Sequence, residues 1–156
     1  MTRVRQDVDV LCARLAVRSI ARAAGMEEHD VQEMAIVVSE LAWNLIKHAG
    51  GGELEMGVVD HPDHGPGVTV ATRDEGPPIH DLAMAIRDGC DDRGPIDPAR
   101  LLERGGLGGG LGGVLRLTDD FRHEALPNGK RIEVVRYVQR PALRANATSH
   151  GQLVRR

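Results

Sequence analysis

Three clusters of residues in this 156-residue chain could do chemistry. Glu40, Asn44 and His48 recur at a spacing of four, so on a helix they line one face. Lys47 borders that stripe. An asparagine side chain offers an oxygen to a hard cation such as Mg²⁺, which prefers oxygen ligands. Glu40 beside it is a candidate base or water-orienting carboxylate. By spacing alone, the stripe also fits the ordinary solvated face of a helix. The second cluster is Asp74-Glu75-Gly76. A carboxylate held at a strand end beside a glycine can accept a hydrogen bond from an exocyclic amine, although Asp-Gly pairs are also common in plain turns. The third is the run from Gly105 to Gly113, in which seven of nine residues are glycine. Free backbone N–H groups and the positive end of a helix dipole converge at such a place, which suits phosphate. The run contains GxGxxG at Gly108, Gly110 and Gly113, but no strand precedes it, and no Lys-Ser/Thr follows to make a P-loop. As sequence it also fits a bare flexible loop.

Other candidates read as bland. His61 and His64 have no third ligand near them in sequence, so they fit a surface pair better than a metal site. Cys90 has no evident activating partner. His123 is expected simply to project from a strand.

The elements that must position these groups follow from periodicity. A short strand is expected over Arg3 to Gln6. Val8, Leu11, Leu15 and Ile20 then recur at helical spacing, with Asp7 or Asp9 as cap and Gly25 at the end. A second helix is expected over 31–49. Asp30 is its N-cap, its apolar face runs from Val31 to Ala49, and Gly50 to Gly52 stop it. Strands are expected over Glu53 to Val59 and Val68 to Thr72, with a loop over His61 to Gly67. A short helix fits Asp81 to Arg87, and residues 88–106 read as a polar excursion. Leu111 to Leu117 should be a helix entered from the glycine run. Two more strands, Asp120 to Ala125 and Lys130 to Val138, are joined by Pro127-Asn128-Gly129. The expected fold is α+β: a two-layer sandwich with a mixed, mostly antiparallel sheet and helices on one face. Residues 1–140 would form one domain and 141–156 a flexible tail.

Composition narrows the function. Apolar residues make up 41% and charged residues 28%, ordinary for a soluble globular domain. A net charge of −3 argues against nucleic-acid binding, and three aromatics (Trp43, Phe121, Tyr137) are too few for base stacking. No apolar run approaches the ~20 residues of a membrane span, and no leader pattern opens the chain. Cys12 and Cys90 form no CxxC pair and read as reduced, cytoplasmic thiols.

Taken together, the three clusters resemble the GHKL (Bergerat) ATP-binding fold, and within it the RsbT-type anti-sigma regulatory serine kinases. The resemblance spans residues 8–138. Ser39-Glu40-Leu41-Ala42-Trp43-Asn44 with Ala49-Gly50 resembles the family's N box. Asp74-Glu75-Gly76-Pro77-Pro78-Ile79 resembles its first glycine box. Gly105 to Val114, followed by Arg116-Leu117 and Asp119-Asp120-Phe121, resembles its second. The resemblance implies ATP and Mg²⁺ as cofactors, with Asn44 holding the metal and Glu40 as the catalytic base. Asp74 would accept from the adenine amino group, with Gly76 letting the base approach and Ile79 in the same box. Gly106, Gly108 and Gly110 would form the hinge of an ATP lid, Leu107 would lie among the nucleotide-binding residues, and Leu111 onward would present N–H groups to phosphate, with Lys47 or His48 as a further phosphate contact. The implied activity is that of a protein-serine kinase in a bacterial partner-switching stress-response module. Its partners would be a STAS-domain antagonist as substrate and a PP2C-type phosphatase or sigma factor downstream, with no nucleic acid and no membrane. An ATP-sensing module without transfer, or an anti-sigma factor that sequesters its target, is the alternative. The sequence departs from the family pattern at Pro78, where a second glycine is expected, and at Lys130, where a threonine is expected. The lid between Gly89 and Gly105 is also longer than in RsbT-like chains.

Overall fold

A computed structural model of the chain describes residues 1–87, 90–91, 94–95, 109–140 and 154–155. Strand β1 (Thr2–Val4) leads into helix α1 (Asp7–Ala23). Asp9 caps the entry: its Oδ2 accepts from the backbone N–H of Arg5 at 2.9 Å and of Gln6 at 3.1 Å. The N-cap position itself is Gln6. The buried face of α1 is not the one its large apolar residues suggest. Val10, Ala13, Val17 and Ala21 are buried, while Val8, Leu11 and Leu15 are exposed. Small side chains let α1 lie close against α2 (Glu28–Ala49), and polar contacts flank that seam. Arg18 donates to Gln32 at 2.7 Å, and Arg22 to Glu28 at 2.9 Å.

Helix α2 starts three residues earlier than its apolar pattern predicts. Glu27 is the N-cap, and Asp30 is instead drawn into an ion pair with Arg136 of the sheet. Gly50 ends the helix in the left-handed region, at φ 68°, where glycine carries no Cβ penalty. The broad apolar face of α2 is buried along its length, with Val31, Met34, Val38, Leu41 and Leu45 at or below 1% exposure.

The sheet continues with β2 (Gly52–His61) and β3 (Gly65–Asp74). This hairpin pairs all the way to His61↔Gly65, so the expected loop shrinks to a turn; Gly65 supplies the positive φ that the tight return needs. The chain then leaves the sheet through α3 (Leu82–Ala85), capped by Asp81 Oδ1 accepting from Met84 N–H at 3.0 Å. A small ladder pairs β4 (Cys90–Asp91) with β5 (Gly94–Pro95), within the segment read as an excursion. Helix α4 (Gly110–Leu117) follows, then the hairpin of β6 (Asp120–Leu126) and β7 (Gly129–Tyr137). Inside the expected tail, β8 (Val154–Arg155) pairs with β6.

The main sheet has the order β1-β2-β3-β7-β6-β8. Every ladder is antiparallel, so the expected mixed component is absent among the described residues. Alternate residues of β3 and β7 face the helices, including Val68, Val70, Ile132 and Val134, and form one core with α1, α2 and α4. At one end of β7, the buried guanidinium of Arg136 ion-pairs with Asp30 and Glu33 of α2 and donates to Leu117 O at 2.8 Å. That clamp fixes the start of α2 to the sheet. Six residues along β7 lies Lys130, about 20 Å away at the rise of an extended strand.

Candidate functional site

Asp74 is the last residue of β3 and is only 7% exposed. The backbone around it is crowded in a way only glycine permits. A Cβ on Gly129, whose φ is +110°, would lie 1.7 Å from the Asp74 carbonyl oxygen. A Cβ on Gly52 would lie 2.6 Å from the Arg73 carbonyl oxygen and 3.2 Å from the Asp74 Cβ. Both neighbouring strands therefore close tightly on this one position.

The Asp74 carboxylate is held by two donors that share one oxygen. Oδ1 accepts from Gly76 N–H at 2.9 Å, a local Asx turn, and from Lys130 Nζ at 2.8 Å. Lys130 sits directly opposite Asp74 in the β3–β7 register. Its ammonium also donates to Pro77 O at 3.0 Å, which ties the turn after β3 to the sheet. Both side chains are buried, at 8% and 6% exposure. The residue that replaces the expected threonine thus lies in the site itself and neutralises its carboxylate.

Helix α2 reaches the same place. A Cβ on Gly76 would lie 2.7 Å from both His48 O and Ala49 Cβ. The bareness of Gly76, expected to admit a base, is needed by the end of α2. Leu45 belongs to the same contact, since its Cδ2 would lie 2.7 Å from a Cβ on Gly52. One and two turns back along the helix stand Asn44, half-buried, and Glu40, 4% exposed. Lys47 and His48 are exposed; Lys47 Nζ lies 5.8 Å from the centre of the Trp43 ring. The predicted stripe therefore grades from a buried carboxylate through a half-buried amide to an exposed imidazole. A wholly solvated face would not bury its first member.

Helix α4 packs against α2 and α3. Gly110 opens it at φ +53°, and Gly109 O accepts from Gly113 N–H at 2.8 Å. Leu111 is buried in the core at 7% exposure, which pins the first turn of α4. Ile79 is half-buried and packs against the same core. Gly106, Leu107 and Gly108 lie outside the described residues.

His123, expected only to project from β6, faces the helix side beside Ile132. Its Nε2 is buried with no hydrogen-bond partner among the described residues. Burial pushes its pKa down, the Lys130 ammonium pushes it the same way, and Asp74 opposes them. His61 and His64 stack at 4.7 Å, with Tyr137 4.8 Å from His64. Among the described residues, the cluster close enough to hold a metal is His29, Asp30 and Glu33. Two of its members already pair with Arg136, so it is a structural anchor. None of the described helices is long and apolar enough to cross a membrane.

The donor set suits a magnesium nucleotide. Asp74 offers a buried acceptor whose Oδ2 neither local donor engages. Asn44 offers a single amide oxygen, as befits a cation that takes few protein ligands and fills its shell with phosphate and water. Comparison with known proteins supports the nucleotide part of this fit. The family described as the histidine kinase-like ATPase domain matches residues 5–136. The serine/threonine-protein kinase RsbT of Bacillus subtilis (strain 168) is 30% identical over 139 residues, covering 88% of this chain and 95% of that protein. This chain belongs to the histidine kinase-like ATPase domain family, and within it to the RsbT type.

Proposed function

We propose that this chain is an ATP- and Mg²⁺-dependent protein-serine kinase acting in the cytoplasm as the switch of a partner-switching module. Its substrate is a serine on a STAS-domain antagonist, and its freed form regulates a PP2C-type phosphatase or a sigma factor. The observation that carries this reading is the buried Asp74 at the end of β3, abutted by the helix that bears Glu40 and Asn44. Asp74 accepts from the amino group of the base. Asn44 holds the metal. Gly110 and Leu111 open α4, whose first N–H groups lack intrahelical acceptors and so favour phosphate. Gly106, Leu107 and Gly108, which lie outside the described residues, are assigned to nucleotide binding by resemblance alone. When bound, ATP supplies the phosphoryl group and Mg²⁺ offsets its charge. Glu40 would orient the serine hydroxyl and take its proton as the oxygen bonds to the γ-phosphorus and the γ-phosphorus–oxygen bond to ADP breaks, with ADP leaving. A new phosphate on the antagonist then breaks its interface by charge and desolvation. Incubation with radiolabelled Mg-ATP and a STAS-domain protein tests the proposal. Transfer by the wild type, its loss in Glu40→Gln and retained ATP binding support it. Full transfer by Glu40→Gln contradicts the base assignment.

Two observations favour a second reading, an ATP-sensing module without transfer, or an anti-sigma factor that sequesters its target directly. Lys130 already engages Asp74, and Pro78 supplies no N–H where the family has glycine. Capture of a partner that depends on ATP but leaves it unphosphorylated would select this reading over the first.

A further inference from the structure

We propose that Lys130 is a base-reading residue: its ammonium donates to ring nitrogen N1 of the adenine whose 6-amino group Asp74 accepts. The inference rests on the nucleotide reading above and assigns a contact within it. An ammonium has three N–H donors. Two are taken, by Asp74 Oδ1 at 2.8 Å and Pro77 O at 3.0 Å, and no third acceptor is found among the described residues. The two anchors fix Nζ against Oδ1 and leave Oδ2 to a ligand. A donor and an acceptor therefore stand side by side, the ammonium 2.8 Å from one oxygen of the carboxylate whose other oxygen neither donor engages. The Watson–Crick edge of adenine carries the complement, an acceptor at N1 beside a donor at the 6-amino group. Lys130 is 7% exposed, and in such a place a charged hydrogen bond is strong because water does not compete for it. The opposing possibility is that Lys130 is a plug that a nucleotide must displace. A plug would be expected to span both carboxylate oxygens, whereas this ammonium turns its second bond away to the Pro77 carbonyl.

Calorimetric titration with ATP and with 1-deaza-ATP, in which N1 is replaced by CH, separates the two. The wild type should bind 1-deaza-ATP about 10- to 100-fold more weakly, the size of a lost hydrogen bond to a charged group. Lys130→Met should bind the two ligands alike. Lys130→Gln, which keeps a neutral N–H donor and is the gentler change, should discriminate to an intermediate degree. Thermal melts of each variant confirm that folded protein is being titrated. Equal binding by the wild type overturns the proposal without recourse to any variant. So does a Lys130→Met protein that keeps the wild-type ratio, or one that binds both ligands more tightly. If ATP itself fails to bind, the nucleotide reading falls as well. If ATP binds and the N1 comparison is flat, only the Lys130 assignment falls.

Discussion

Replacing Gly129 by alanine is expected to damage both the fold and the site, and its cost can be compared with that of an innocuous twin. Gly65 and Gly129 both take positive φ at strand starts, +69° and +110°. A Cβ at Gly65 meets nothing within 4 Å, so Gly65→Ala bears only the backbone penalty, about 1–2 kcal/mol. A Cβ at Gly129 would stand 1.7 Å from the Asp74 carbonyl oxygen, a backbone atom that cannot swing aside. The β7 start or the end of β3 must move, which adds about 1–3 kcal/mol of overpacking. At about 2–4 °C per kcal/mol for a chain of this size, Gly129→Ala should melt roughly 2–12 °C below Gly65→Ala. The movement also shifts Asp74 against Lys130, so nucleotide affinity should fall in Gly129→Ala and stay at the wild-type value in Gly65→Ala. Differential scanning calorimetry and nucleotide titration on the two variants provide the assay. Equal melting temperatures, or equal affinities, would refute the claim that close packing around Asp74 shapes the site.

Other outcomes follow from the buried charges. Lys130→Met or Asp74→Asn alone should each lower stability by up to about 3–5 kcal/mol, because each strands a buried partner. The double variant should be less destabilised than the sum, as measured by a denaturant double-mutant cycle. Arg136→Leu should cost a similar amount, since Asp30 and Glu33 lose their cation, yet leave ATP affinity unchanged because the clamp is remote from Asp74. His123 contributes a pH dependence. Its folded pKa is held below the ordinary 6.5, by burial first and Lys130 second, with Asp74 opposing. The unfolded chain therefore takes up this proton first, and stability falls as pH drops through about 6.5, levelling once the folded group also protonates. Denaturant midpoints across that window should show a shallower loss in His123→Gln than in the wild type.

Much of this architecture was legible in the sequence because it follows local rules. The apolar face of α2 and the glycine that stops it are written within one segment, and Pro127-Asn128-Gly129 announces the β6–β7 hairpin. The face of α1 was not legible. Large apolar residues dominate a periodicity reading, but packing against α2 selected the small ones, Ala13 and Ala21. Asp30 looked like a cap until Arg136, 106 residues away, claimed it. The site divides in the same manner. Asp74 and its glycine are a local signal, and so is the spacing of Glu40 and Asn44. Lys130 is 56 residues from Asp74, and only the β3–β7 register brings the two together. From sequence it could be seen as a missing threonine, but not as the counter-ion of the site. Gly52 and Gly129 carried a weak signal, because tight packing of two strands on one carboxylate is a property of the assembled sheet.

The most direct test of the central claim is ATP titration by calorimetry, with and without Mg²⁺, on the wild type and on Asp74→Asn. Saturable one-to-one binding that Mg²⁺ strengthens in the wild type, and that Asp74→Asn weakens at least tenfold, is the predicted result. A wild type that binds no ATP, or an Asp74→Asn protein that binds it undiminished, would contradict the account.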